Sequence, residues 1–268
     1  MTFRGLTDSF APPLARARAH TLARTPARAP RLLATLSAGA MAAVATLAPP
    51  ALAQSYCASD GQRAPVALLE RFINADCDAC WASPDTPQPR AGELAIDWIV
   101  PGGKGEDAPL SAAATRDATG RLQALKLPRP AEASTARLTP ARDARRTLRV
   151  AHGLPFAGYI AASIELKPAG ATPAGPITGW LALVETIPAG TEGTPVTRNL
   201  VRNVLESSWD GRSLLLNNEQ KRFFESRPMS IPAGANPERL RVVGWVQDTK
   251  GRITAIAQSR CAPTGQNP

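Results

Sequence analysis

The sequence predicts an α+β protein in which a small α/β unit precedes an antiparallel β-sandwich-like unit. Residues 64–81, "APVALLERFINADCDACW", are typical of a buried strand that runs directly into a Cys-x-x-Cys motif. From residue 147 onwards, alternating and β-branched runs indicate several short strands. The 26 prolines also favour loops and short strands over long helices.

The N-terminal region has the three parts of a secretory signal peptide. Residues 1–31 contain six arginines and one acidic residue, and the apolar stretch that follows ends in "ALA" at Ala53. A basic region, an apolar region and a small-x-small site predict export and cleavage after Ala53. A retained anchor is the alternative, but a span needs ~20 strongly apolar residues, and this stretch is mostly alanine. We therefore expect a periplasmic or secreted protein without a stable membrane span.

Removing residues 1–53 changes the charge of the chain. The full sequence has a formal charge of +9, whereas the mature chain keeps 25 basic and 21 acidic residues, a balance of about +4. The remaining bases are scattered, and their one cluster, at 142–149, has no interleaved aromatic residues. This pattern predicts a solvated surface and no nucleic-acid partner.

The first predicted unit covers residues 54–130. A strand at 65–73 leads into the cysteine motif, and a proline-rich loop follows it. The run "ELAIDWIV" at 93–100 predicts a second strand, and 108–127 can hold one helix, which Gly120 weakens. A stretch rich in proline, alanine and arginine at 131–147 is expected to be a linker.

The second predicted unit covers residues 148–262. The alternating run at 156–166 predicts a strand that pairs with a second strand at 176–187 across a Pro/Gly-rich loop. The last residues, 263–268, are expected to be a disordered tail.

In the second unit, the secondary structure of one further segment is clearly predicted and that of another is not. Residues 239–258 predict a β-hairpin, because two β-branched runs flank a turn in which Gly251 can take a positive φ. Residues 197–211, "TRNLVRNVLESSWDG", are ambiguous, since their apolar spacing fits a helix and their surroundings fit a sandwich.

Several segments resemble a known family. "LLERFINADCDACW" resembles the "E-L-F-T-x-x-x-C-x-x-C" opening of the secreted bacterial thioredoxin-like proteins known as domain of unknown function 1223. "VTRNLVRNVLESSWDG" is similar to the family's "H-R-N-x-V-R…W-x-G" segment, with Thr197 in place of the histidine, and the 239–258 hairpin resembles its last hairpin. The resemblance implies a thioredoxin-like fold for 54–130. Thioredoxin-like redox sites also place a cis-proline against the disulfide, for which Pro140 is the candidate by context.

The four cysteines predict two disulfides in an exported protein. Cys57 and Cys261 lie near the two ends of the mature chain, and chain ends often lie close together, so a structural disulfide between them is expected. Cys77 and Cys80 are then left for each other. Four cysteines nevertheless allow three pairings, which sequence alone does not separate.

Cys77 and Cys80 have two interpretations. As a redox pair, Cys77 would attack as the nucleophile and Cys80 would resolve the mixed disulfide. As a structural pair, they would cap a strand without turnover. The neighbouring Asp76 and Asp78 are expected to raise the pKa of the Cys77 thiol, which disfavours the thiolate.

Other chemistry has little support in the sequence. The mature chain has a single histidine, His152, expected on the surface in the turn "AHGLP"; a copper(I) site with two thiolates and His152 is a minor alternative. We expect no cofactor and no metal, and no hydrolase or nucleotide-binding motif occurs.

The main hypothesis is an exported thiol–disulfide oxidoreductase with an unknown protein thiol or disulfide partner. The alternative is a non-catalytic envelope binding or structural module whose disulfides serve only stability.

Overall fold

The computed structural model describes residues 57–141, 147–168, 175–210, 212, 215–217 and 220–261, which belong to one unit of the chain. The predicted signal peptide and the predicted C-terminal tail lie outside these residues. Within them, no helix is both long enough and apolar enough to cross a membrane.

Strands dominate the described residues. They are β1 (Cys57–Ala58), β2 (Ala67–Asn74), β3 (Glu93–Val100), β4 (Ala133–Leu138), β5 (Thr147–His152), β6 (Tyr159–Lys167), β7 (Ile177–Ile187), β8 (Arg198–Trp209), β9 (Leu215–Asn217), β10 (Gln220–Ser230), β11 (Leu240–Gln247), β12 (Ile253–Gln258) and β13 (Arg260–Cys261). The helices are α1 (Asp78–Trp81) and α2 (Arg116–Ala124), with 3-10 turns at Gly105–Asp107, Ser111–Ala113 and Pro237–Arg239.

The strands form two sheets. One has the order β13-β1-β5-β6-β10-β9, and the other has the order β12-β11-β7-β8-β3-β2-β4. All pairings are antiparallel except that β3 runs parallel to both β2 and β8. The two sheets pack face to face, because one apolar cluster joins Val150 and Ile164 of the first sheet to Leu181 and Val242 of the second.

The seven-stranded sheet is covered on both faces. Along β7, Leu181 faces the sandwich interior, whereas the adjacent Trp180 belongs to a second cluster on the outer face. Helix α2 closes that outer cluster with Ala118 and Leu122. Its N-terminus is capped by Thr115, whose hydroxyl accepts from the backbone N–H of Ala118.

The predicted α+β fold class, with its thioredoxin-like unit, is wrong. Strands β2, β3 and β4 do not form a separate α/β layer; they extend the same sheet that contains β7, β8 and β11. Helix α1 is a single turn of four residues, and β4 lies within the stretch expected to be a linker. The molecule is a β-sandwich. Strands β3 and β8 pair with each other, and buried residues of both strands belong to one apolar cluster, so the two predicted units share one sheet and one core.

Individual strand predictions have mixed outcomes. The hairpin over 239–258 is confirmed, with φ of 75° at Gly251 in its turn. The ambiguous segment 197–211 contains a strand, β8 (Arg198–Trp209). The predicted pairing of 156–166 with 176–187 is wrong, since β6 pairs with β5 and β10 in one sheet and β7 lies in the other. Alternation of apolar and polar residues identifies a strand. It does not show whether another strand pairs beside it in the same sheet or packs against it from the opposite sheet.

Candidate functional site

The Cys-x-x-Cys segment caps the end of β2. Cys77 is the residue before α1, and its Sγ accepts a hydrogen bond of 3.2 Å from the backbone N–H of Cys80. The two sulfurs form a disulfide, and both residues are half-buried. The segment is therefore partly accessible to solvent from one side and packed against the protein on the other.

Local hydrogen bonds set the turn that leads into this segment. Asn74 accepts from the N–H of Asp76 at 2.9 Å with its side chain and from the N–H of Cys77 at 3.0 Å with its carbonyl oxygen. The Asp76 carboxylate accepts in turn from the N–H of Gly103 at 2.7 Å. At the preceding Gly102, a Cβ atom would collide with that carboxylate, so the "PGG" sequence permits this close approach.

Arg198 at the start of β8 fixes the other end of the motif. Its side chain is 0% exposed, and one terminal nitrogen donates to the carbonyl oxygens of Cys80 at 3.2 Å and Trp81 at 2.7 Å. The same nitrogen lies 2.8 Å from the hydroxyl of Thr86, and the guanidinium stacks 5.0 Å from the centre of the Trp81 ring. The last turn of the motif is thus held by a buried cation in β8.

A single carboxylate balances two buried guanidinium groups at this site. Asp97 on β3 accepts from Arg71 at 2.6 Å and from Arg198 at 3.2 Å, and it also accepts from the N–H of Asn199 at 2.8 Å. Burial lowers the pKa of Arg198, and the charge of Asp97 partly reverses this shift. We call Arg71, Asp97 and Arg198 the buried ion cluster.

Two clefts flank the Cys-x-x-Cys turn. One, of about 190 Å³, is lined in part by Cys80, both arginines of the buried ion cluster and Ser134. The other, of about 240 Å³, is lined mainly by apolar residues, including Trp81 and Ile187. Trp81 is buried and lines the second cleft, and its ring N–H donates to the carbonyl oxygen of Glu192 at 2.8 Å.

The second disulfide joins Cys57 to Cys261 beside His152. The expectation of a surface histidine is wrong: His152 is the last residue of β5 and is 4% exposed. Its Nδ1 lies 3.0 Å from the carbonyl oxygen of Gly153, and burial lowers its pKa. The sequence "AHGLP" suggested a turn at His152, whereas the turn lies at residues 156–159, after β5 has ended.

A second buried ion pair lies on the outer face of the seven-stranded sheet. Arg121 of α2 binds both carboxylate oxygens of Glu70 at 2.7 and 2.8 Å, and it lies over the rings of Trp180 and Trp245 at 4.9 and 5.0 Å. Arg121 also donates to Gln247 at 2.6 Å. This group joins α2 to β2 and β11 of the sheet.

The four predicted site residues come together as the two pairs that the sequence favoured, and every cysteine of the chain is in a disulfide. The nucleophilic role of Cys77 and the resolving role of Cys80 stay predictions.

No peptide bond among the described residues is cis, so Pro140 does not supply the cis-proline expected from the resemblance. Sequence reasoning did not assign Arg71, Asp97 or Arg198 to the site; the available signal for Arg71 and Asp97 was their charge within mostly apolar strands.

Comparisons with known proteins add little to this geometry. No family model and no curated protein matches the sequence. Among solved structures, the chain is similar to HBP35 of Porphyromonas gingivalis, at 12% sequence identity and a TM-score of 0.43, over 78% of this chain and 80% of that one. A likeness this distant assigns no function, and the resemblance to domain of unknown function 1223 stays a prediction.

Proposed function

We propose that this chain is a non-catalytic module of the bacterial cell envelope, a disulfide-stabilised β-sandwich with a structural or binding role. In this account Cys77–Cys80 closes the cap over the end of β2, and Cys57–Cys261 ties the two ends of the mature chain together. Thiol–disulfide exchange is the competing function.

The observation that carries the proposal is the attachment of the motif to Arg198. Thiol–disulfide exchange passes through a mixed disulfide with the partner, so it depends on access of the partner to the attacking sulfur. Here the carbonyl oxygens of Cys80 and Trp81 are bound by a fully buried guanidinium. Movement of the turn to admit a partner would break these two hydrogen bonds of the buried guanidinium, which is costly.

The electrostatic surroundings of Cys77 favour the same function. Asp76 precedes it and Asp78 follows it in the sequence, and acidic neighbours support a thiolate less than basic ones do. Helix α1 has only four residues, so it provides a small dipole at its N-terminus. One contact favours exchange, namely the hydrogen bond from the N–H of Cys80 to the Cys77 sulfur, and for that reason turnover needs a direct test.

The disulfides also support an envelope location. Disulfides persist in oxidising compartments and are rare in the cytosol, and all four cysteines of this chain are paired. Together with the predicted signal peptide, this supports a periplasmic or secreted protein.

A turnover assay tests the proposal. The mature protein is added to insulin and dithiothreitol, and precipitation of the insulin B chain is followed against the Cys77→Ser/Cys80→Ser variant. We expect both proteins to leave the rate of the dithiothreitol reaction unchanged. A clear acceleration by the wild type that disappears in the variant would establish thiol exchange and refute a non-catalytic module.

A further inference from the structure

Three residues that can bind a soft metal lie in one row across neighbouring strands. Cys57 of β1 is directly opposite Cys261 of β13 on one side and directly opposite His152 of β5 on the other. Side chains at opposed positions of antiparallel strands project from the same face of the sheet. The two sulfurs and a ring nitrogen of His152 accordingly lie within 4.8 Å of one another.

The histidine of this row has an unused ring nitrogen. The Nδ1 of His152 lies 3.0 Å from the carbonyl oxygen of Gly153, which fits an Nδ1–H donor. Its Nε2 is buried and has no hydrogen-bond partner. An unpartnered buried polar atom is costly, and an Nε2 lone pair fixed by an Nδ1–H bond to a backbone carbonyl is the usual arrangement of a metal-binding histidine.

We propose that reduction of the Cys57–Cys261 disulfide converts this row into a copper(I) site formed by the two cysteine sulfurs and the Nε2 of His152. The inference goes beyond the proposed function, in which this disulfide has only a stabilising role. In the oxidised protein the sulfurs are bonded to each other and the site does not exist. Reduction therefore switches the site on.

The chemistry balances with a dithiol as the reductant. The dithiol gives up two electrons and two protons and becomes a cyclic disulfide, while the Cys57–Cys261 bond breaks and each sulfur becomes a thiol. Cys261 is exposed and offers the sulfur at which the reductant can attack, whereas Cys57 is buried. Copper(I) then binds the two sulfurs as thiolates and displaces their two protons.

The ligand set favours copper(I) over zinc. Soft thiolates select copper(I) and zinc, and imidazole suits both. Zinc in structural sites almost always takes four ligands, whereas the row supplies three among the residues that the structure describes. The neighbouring position across β6 is Ala162, which provides no fourth donor.

The test uses the mature Cys77→Ser/Cys80→Ser variant, so that Cys57 and Cys261 are the only thiols. The protein is reduced with dithiothreitol under anaerobic conditions, freed of the reductant and titrated with the coloured complex of copper(I) and bathocuproine disulfonate. Loss of colour reports transfer of copper, and near-ultraviolet circular dichroism reports the fold. We expect one copper(I) per reduced chain and no transfer to the oxidised protein.

Two substitutions of similar size test the histidine in the same background. His152→Leu removes the third ligand, and we expect at least ten-fold weaker binding of copper(I). His152→Met retains a soft donor and should bind more tightly than the leucine variant. Equal affinity in the parent and His152→Leu proteins, transfer to the oxidised protein, or tighter binding of zinc than of copper(I) would each overturn the proposal. So would a reduced protein that unfolds and does not regain its fold when copper(I) is added.

Discussion

The guanidinium of Arg198 donates a 2.7 Å hydrogen bond to the carbonyl oxygen of Trp81 and stacks 5.0 Å from the centre of its indole ring. These two residues are 117 positions apart in the sequence. Their contact joins the cysteine turn to β8, and through Asp97 it joins both to β3. The partly exposed cap over β2 is therefore attached to the buried interior through Trp81.

Replacing Arg198 tests how much this connection stabilises the protein. Arg198→Leu leaves the carbonyl oxygens of the cysteine turn without a donor and reduces the positive charge around Asp97. We expect the free energy of unfolding to fall by about 3 kcal/mol, at the lower end of the cost of breaking a buried pair, since Arg71 remains. Urea unfolding measures the difference.

The control for this substitution is Arg227→Leu. Arg227 is exposed and pairs with Glu225 on the surface, so its loss should change stability by about 0.5 kcal/mol or less. Equal effects at positions 198 and 227 would show that the buried ion cluster does not secure the turn.

The Glu70–Arg121 pair should show strong coupling. Both side chains are 0% exposed, so Arg121→Leu leaves a buried carboxylate without its cation and should cost about 3–5 kcal/mol. Replacing both residues with leucine removes both charges, and the double variant should be more stable than Arg121→Leu alone. A double-mutant cycle measured by urea unfolding tests this, and simple additivity would contradict it.

The two disulfides should contribute unequally. The cysteines are 204 positions apart in one pair and 3 apart in the other. In the chain-entropy model the long loop contributes about 5 kcal/mol and the short one about 2 kcal/mol. Cys57→Ser/Cys261→Ser should thus destabilise the protein more than Cys77→Ser/Cys80→Ser in chemical unfolding, and the reverse order would refute this assignment of roles.

Two glycines should respond to alanine with opposite signs. A Cβ at Gly179 on β7 would lie 2.7 Å from the Trp209 ring, so Gly179→Ala should cost about 1–3 kcal/mol. A Cβ at Gly120 on α2 meets nothing within 4 Å, and Gly120→Ala should stabilise the helix by about 0.5–1 kcal/mol. Thermal unfolding of the two variants checks both signs; a stabilising Gly179→Ala would contradict the packing at Gly179, and a destabilising Gly120→Ala would contradict the open space at Gly120.

The sequence predicted local features well because they depend on neighbouring residues. The apolar run at 93–100 is strand β3, and the turn of the 239–258 hairpin contains its positive-φ glycine. The fold class failed because it depends on contacts between distant segments. Asp97 and Arg198 are 101 positions apart, and Glu70 and Arg121 are 51 apart; nothing in their local sequence indicates that they pair inside the core.

The candidate site was predictable only in part for the same reason. The even number of cysteines and their positions led to the two disulfides that the structure contains. The environment of the Cys-x-x-Cys turn comes from β3 and β8, far along the chain, and it is this environment that decides between exchange and stabilisation. His152 was placed on the surface because the following "GLP" resembles a turn, whereas β5 continues through His152 and β1 pairs with it there, with Cys57 directly opposite.

The most direct test of the central claim is a redox titration of the mature wild-type protein against dithiothreitol buffers. Cysteine alkylation and mass spectrometry follow each disulfide separately, and near-ultraviolet circular dichroism of the buried tryptophans follows the fold. Our account predicts that Cys77–Cys80 stays closed down to ~−300 mV, as structural disulfides do. Reversible opening of that pair between ~−120 and −270 mV, with the tryptophan signal unchanged, would contradict a structural role and make it a redox pair.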